Sequence, residues 1–115
     1  MATSRSARVR LEAQHRIVSG RIAGLTREVA EIVESAQLAN VDDEHDPEGS
    51  TIAYERAKVL ALLATAQQDL VAIDAALRRT DDATYGMCLT CGRPITPDRL
   101  DAVPATTTCI ACAHG

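Results

Sequence analysis

The sequence predicts a mainly α-helical protein, a long antiparallel coiled-coil hairpin followed by a small domain built around four cysteines. Two observations carry this. Two stretches repeat apolar residues at alternating steps of four and three, and all four cysteines of the 115-residue chain fall in its last quarter as two C-x-x-C pairs. Composition agrees: 46% of the residues are hydrophobic, yet there is no Phe or Trp, and the only aromatics are Tyr54 and Tyr85. A compact core is hard to build at this size without aromatics, whereas Ala, Leu, Ile and Val suit long helices packed along a narrow seam.

The expected division is residues 1–84 as the hairpin, with an acidic tip loop around 40–50, and residues 85–115 as the cysteine domain. The first seam runs through Leu11, His15, Val18, Ile22, Leu25, Val29, Ile32, Ala36 and Ala39, a heptad pattern sustained over four repeats. His15 on that seam reads as a packed or edge histidine, not a ligand. The second runs through Ile52, Arg56, Val59, Leu63, Ala66, Leu70, Ile73 and Leu77. No Pro interrupts either stretch, and Gly20 and Gly24 lie off the first seam, weakening that helix by about 1 kcal/mol each. At ~1.5 Å per residue the first seam spans about 43 Å. The expected shape is a rod with the cysteine domain at one end and the loop at the other. Arg78 and Arg79 suit the C-terminus of the second helix. The basic run Arg5, Arg8, Arg10 and Arg16 reads as a solvated or frayed helix start, or else as a clamp on an acidic partner.

Asp46 before Pro47 reads as an N-cap followed by Pro at the first helical position, with Ser50 as a second candidate cap. The connection carries Asp42, Asp43, Glu44, Asp46 and Glu48 with no Lys or Arg among them. Acids near a helix start are favoured by the dipole, but five in seven residues exceed what capping needs, so these side chains are candidates to face a partner. The D-x-[DN]-x-[DN]-G-x₅-E pattern of an EF-hand is absent. Two carboxylates of the cluster could share a Mg²⁺ with water and partner oxygens.

Cys88-Leu-Thr-Cys91 and Cys109-Ile-Ala-Cys112 are separated by 17 residues, the spacing of a four-thiolate zinc site. Gly92 follows Cys91, where positive φ lets backbone N–H groups turn towards a thiolate. Four thiolates fill a tetrahedral shell and leave no position for water, so the expected Zn²⁺ is structural. The alternatives are disulfides and a redox C-x-x-C. The first needs an oxidising compartment, and MATSRSARVR has no apolar region to export the chain; the second follows a βαβ pattern that is absent. His114 is a replacement ligand only in principle. Thr96-Pro97 reads as the cap and first residue of a short helical turn through Leu100, with Ile95 and Leu100 packed beneath the metal. Arg93 and Arg99 are candidates for gripping a partner.

Several function classes are excluded on these grounds. No apolar run reaches the ~18 residues of a membrane span, so a cytoplasmic protein without membrane contact is expected. The formal charge of −4, made more negative by about 2 when four thiolates hold one Zn²⁺, disfavours coating nucleic acid, and no sequence-specific DNA binding is expected. No nucleophile–base pair, phosphate loop or facing acid pair supports catalysis, so the chain reads as a non-enzyme.

The residues Tyr85-Gly-Met-Cys88-Leu-Thr-Cys91-Gly-Arg-Pro-Ile95, then Arg99-Leu100-Asp-Ala-Val-Pro104 and Cys109-Ile-Ala-Cys112, resemble the DksA/TraR C4-type zinc-finger family. The order of hairpin then finger extends the resemblance over most of the chain, and residues 42–56 resemble DksA-like proteins of actinobacteria. The resemblance implies a regulator of transcription initiation that binds RNA polymerase, inserts its coiled-coil tip into the secondary channel towards the catalytic Mg²⁺, and in some members acts with the alarmone ppGpp. The family's tip motif D-x-x-D-x-A is altered. Starting it at Asp46 puts Gly49 where the second acid belongs, and starting it at Asp43 restores both acids but loses the Ala. Two further readings are a Gre-like stimulator of transcript cleavage, delivering Mg²⁺ through Asp43 with Asp46 or Asp42, and a zinc-capped coiled-coil adaptor with no polymerase activity.

Overall fold

The computed structural model describes residues 2–42 and 47–114, with side chains over 5–38 and 51–113. Four helices follow in order: α1 Ala2–Asp42, α2 Pro47–Asp81, α3 Pro97–Ala102 and α4 Ile110–His114. The long helical hairpin and the mainly helical class expected from the heptad pattern are both present. Within the tip, residues 43–46 lie outside the described residues, as do the side chains of Asp42 and Glu48. The second helix does begin at Pro47, as expected from proline's fixed φ at a first helical position.

The chain divides into two compact units, one of residues 1–17 with 69–115 and the other of residues 18–68. In the first, Ala7 and Leu11 of α1 and Ile73 and Ala76 of α2 are buried. Two ion pairs join the helices: Arg8 Nη2 lies 3.0 Å from Asp81 Oδ1, and His15 Nε2 lies 3.1 Å from Asp74 Oδ1. An advance of one heptad along α1 is thus matched by a retreat of one heptad along α2, the register of an antiparallel coiled coil. Arg8 also donates from Nη1 to Thr80 Oγ1 at 3.3 Å. The expectation of a frayed start fails here, because α1 is helical from Ala2 and Arg8 and Arg10 are tied into the unit.

In the second unit, Val18, Val59 and Ala66 are buried, while Ile22, Leu25, Val29, Ile32, Ala36, Ile52 and Leu63 are half-buried. The seam positions are therefore the covered ones, and Arg56, the charged seam position, is exposed. Two helices alone leave their flanks open: Ile17 is 62% exposed and Leu62 is 49% exposed.

One expectation needs correction. Thr51–Asp81 contains a window of mean hydropathy 1.3, long and apolar enough by composition to cross a membrane. The cause is its density of Ala, Leu and Val, interrupted only by polar residues such as Gln67, Gln68 and Asp69. Val59, Ala66 and Ile73 within it form the buried seam.

The second helix ends in a left-handed turn. Ala83 has φ +62°, and Thr84 N and Tyr85 N both donate to Arg79 O, at 3.0 and 3.1 Å. This satisfies a carbonyl that the last turn would leave open, in the manner of a Schellman cap. The basic side chains Arg78 and Arg79 lie in that last turn, where the helix dipole favours them.

Candidate metal centre

The turn delivers the chain into the cysteine domain. Met87 pairs with Pro94 in an isolated antiparallel bridge, Cys88 N donates to Arg93 O at 2.8 Å, and Gly92 N returns to Cys88 O at 2.9 Å. Gly92 has φ +75°, the left-handed conformation that glycine adopts without strain, and this reverses the chain just after Cys91. The second pair is built differently. Cys109 leads into α4, and Ala113 N donates to Cys109 O at 2.9 Å, placing Cys109 and Cys112 one helical turn apart. The hydrogen bond from Leu89 N to Thr107 O, 2.8 Å, ties the two halves together.

As a result the Sγ atoms of Cys88, Cys91, Cys109 and Cys112 all lie within 4.8 Å of one another. Cys91 Sγ and Cys109 Sγ are 3.8 Å apart. A tetrahedron with metal–sulfur bonds of ~2.3 Å has edges of about 3.8 Å, so the four sulfurs fit one Zn²⁺. Among the described residues this is the one cluster of potential ligands; the side chain of His114 lies outside them. The cysteines are free thiols, and the local backbone already discriminates between them. The N–H groups of Cys109, Cys91 and Thr90 pull the Cys88 thiol down to about 6, while hydrogen bonds to its neighbouring thiols push Cys112 up to about 12. Cys109 is also lowered, chiefly by the Cys112 N–H. Backbone N–H groups aimed at sulfur favour the thiolate that a metal requires.

Beneath the sulfurs, Cys88, Ile95 and Leu100 are buried together, with Tyr85, Cys109 and Cys112 packed against them. Ile95 and Leu100 thus take the expected place. Thr96 sits at the N-cap of α3 before Pro97, but its side chain makes no capping bond. Gly86, at φ +85°, brings the backbone against Leu100: a Cβ there would meet Leu100 Cδ1 at 3.4 Å. Ile95 N donates to Gly86 O at 2.7 Å, and the Tyr85 hydroxyl donates to Pro104 O at 2.8 Å. Burial raises the Tyr85 pKa, opposed by the nearby charge of Arg10.

Arg99 corrects the sequence reading. It is half-buried and spends its donors inside the domain, Nε to Thr108 O at 2.7 Å and Nη2 to Thr106 Oγ1 at 3.3 Å. Its guanidinium holds the segment leading into Cys109. Arg93 remains exposed. Sequence reasoning named Arg10 in the basic run but missed its partner within the chain: its Nη2 lies 3.2 Å from Asp101 Oδ1 on α3, and no spacing rule links residues so far apart.

A helical hairpin joined to a closed four-thiolate centre defines a C4 zinc-finger protein. The family model of the prokaryotic dksA/traR C4-type zinc finger matches residues 83–115, so the chain carries that family's zinc finger. The whole chain is similar to the structure of transcription factor DksA2 from Pseudomonas aeruginosa, with a TM-score of 0.82 and 26% identity, covering 99% of this chain and 82% of that one. It also matches the solution structure of DnaK suppressor protein from Agrobacterium tumefaciens C58 at 34% identity and a TM-score of 0.47, covering 90% and 91% of the two chains. Among curated proteins it is 36% identical over 66 residues to the uncharacterized protein YteA of Bacillus subtilis (strain 168). That match takes in 57% of this chain and 28% of the length of YteA.

Proposed function

We propose that this protein is a non-catalytic regulator of transcription initiation that binds RNA polymerase and inserts the connection between α1 and α2 into the secondary channel. The observation that carries the reading is the likeness to transcription factor DksA2 over 99% of the chain, together with the family's zinc finger at residues 83–115. In this reading residues 1–84 are the inserted hairpin and residues 85–115 the finger. Zinc supplies structure alone, since four thiolates complete its coordination. The acids Asp42, Asp43, Glu44, Asp46 and Glu48 are the groups that approach the polymerase Mg²⁺, where concentrated negative charge acts on a metal centre at short range. The protein works in the cytoplasm, with ppGpp as the candidate co-effector.

The test is retention of purified RNA polymerase by the tagged chain, competed by a known secondary-channel factor. Binding that the competitor removes supports the reading. Cleaved 3′ RNA from a backtracked complex would assign the Gre-like activity instead, and no polymerase binding would leave the adaptor.

A further inference from the structure

The finger's own residues do not complete it. Asp101 of α3 points its carboxylate at Arg10 of α1, Nη2 to Oδ1 3.2 Å, and Arg10 is steadied by Ser6, whose Oγ accepts from Nη1 at 3.0 Å. The Arg10 charge also lies against the hydroxyl of Tyr85, the residue packed on the Cys88, Ile95 and Leu100 core. Arg10 Nε is buried and meets no protein acceptor, so the guanidinium is drawn into this contact even at the cost of an unsatisfied donor. Two residues earlier on the same helix, Arg8 grips Thr80 and Asp81 at the entry to the finger.

We propose that Arg10 is a positioning residue of the metal centre, holding Asp101 so that residues 5–17 of α1 are part of the metal-bound fold of the finger. The physical basis is linkage. A small zinc domain draws its folding free energy from the metal, and any contact made only in the folded, loaded state adds to metal retention. The Arg10–Asp101 pair is such a contact, because α3 and the turn at Tyr85 exist in that geometry only when the finger is folded. Arg10 touches neither metal nor thiolate and acts through Asp101 and Tyr85. The inference is independent of polymerase binding.

The test uses the full-length, zinc-loaded chain and follows zinc transfer to excess chelator. Arg10→Ala and Asp101→Ala should each speed zinc loss about fivefold, the scale of one partly exposed, charge-assisted contact. The double variant should lose zinc no faster than the worse single, and the swap Arg10→Asp with Asp101→Arg should recover part of the loss. Arg21→Ala, at an exposed α1 position that belongs to the other unit, should match the parent. Hydrogen exchange supplies the second readout: stripping zinc should accelerate exchange across residues 5–17 and leave residues 25–35 unchanged. Parental zinc loss in Arg10→Ala, single effects that multiply in the double variant, or exchange over 5–17 indifferent to zinc would each overturn the proposal.

Discussion

His15 Nε2 of α1 and Asp74 Oδ1 of α2 lie 3.1 Å apart, and both side chains are more than a third exposed. A partly solvated pair of this kind contributes little, ~0–1 kcal/mol, so the register of the hairpin rests on the apolar seam that the pair flanks. Leu11, fully buried one turn before His15, should cost about 2–4 kcal/mol when cut to Ala. Leu25→Asp or Leu63→Asp should cost several kcal/mol by placing a charge in the seam. His15→Ala and Gln68→Ala should each stay within about 1 kcal/mol. Denaturant midpoints check the ranking; equal effects at seam and flank would remove the coiled-coil account.

The turn from α2 into the finger makes two opposite predictions. Ala83 holds φ +62°, a conformation that costs an L-residue ~1 kcal/mol or more, so Ala83→Gly should raise stability by about 1 kcal/mol. Gly86→Ala should lower it by a larger amount, since it adds strain at φ +85° and a methyl 3.4 Å from Leu100 Cδ1. Thermal midpoints of the two zinc-loaded variants should move in opposite directions.

Arg99 gives a third. Its bonds to Thr108 O and Thr106 Oγ1 use two donors of a planar fork that lysine lacks. Arg99→Lys should therefore recover less than half of the stability lost in Arg99→Ala, which is expected to be about 1–2 kcal/mol. A lysine variant melting like the parent would return Arg99 to the surface role read from the sequence.

The hairpin was legible because a two-helix seam writes itself into the sequence at intervals of seven, from Leu11 to Ala36 and from Ile52 to Leu77. The metal centre was legible because C-x-x-C pairs have few other uses in this context. What stayed hidden were the polar contacts. Arg10 meets Asp101 through a fold that returns α3 to α1, and Arg99 turns inward to the Thr108 carbonyl and the Thr106 hydroxyl; neither contact leaves a period. Ala7 escaped too, because the heptad pattern was first recognised at Leu11, yet it is fully buried.

The fourth prediction concerns pH and metal. Cys88, lowered to about 6 from an ordinary thiol near 9, favours the folded finger fully above the higher value and loses that contribution as pH falls through the lower one. Cys112, raised to about 12, keeps its proton at neutral pH until a metal displaces it. Zinc uptake should therefore release protons, and zinc affinity should fall steeply between pH 8 and pH 6. Calorimetry in buffers of different ionisation enthalpy would count the protons; uptake without proton release would contradict the thiolate centre. Cys109→Ser should lose the metal and unfold residues 85–115 while the hairpin keeps much of its helicity.

The most direct test of the account is an initiation assay with purified RNA polymerase, comparing the parent with a variant carrying Asp42→Asn, Asp43→Asn and Asp46→Asn. These changes keep side-chain shape while removing three charges. The parent should be displaced by a known secondary-channel factor and alter initiation. The variant should bind with similar affinity and lose that effect. A variant that regulates as well as the parent would reduce the acidic connection to a solubilising turn, and a parent that neither competes nor changes any transcript would contradict the proposed function.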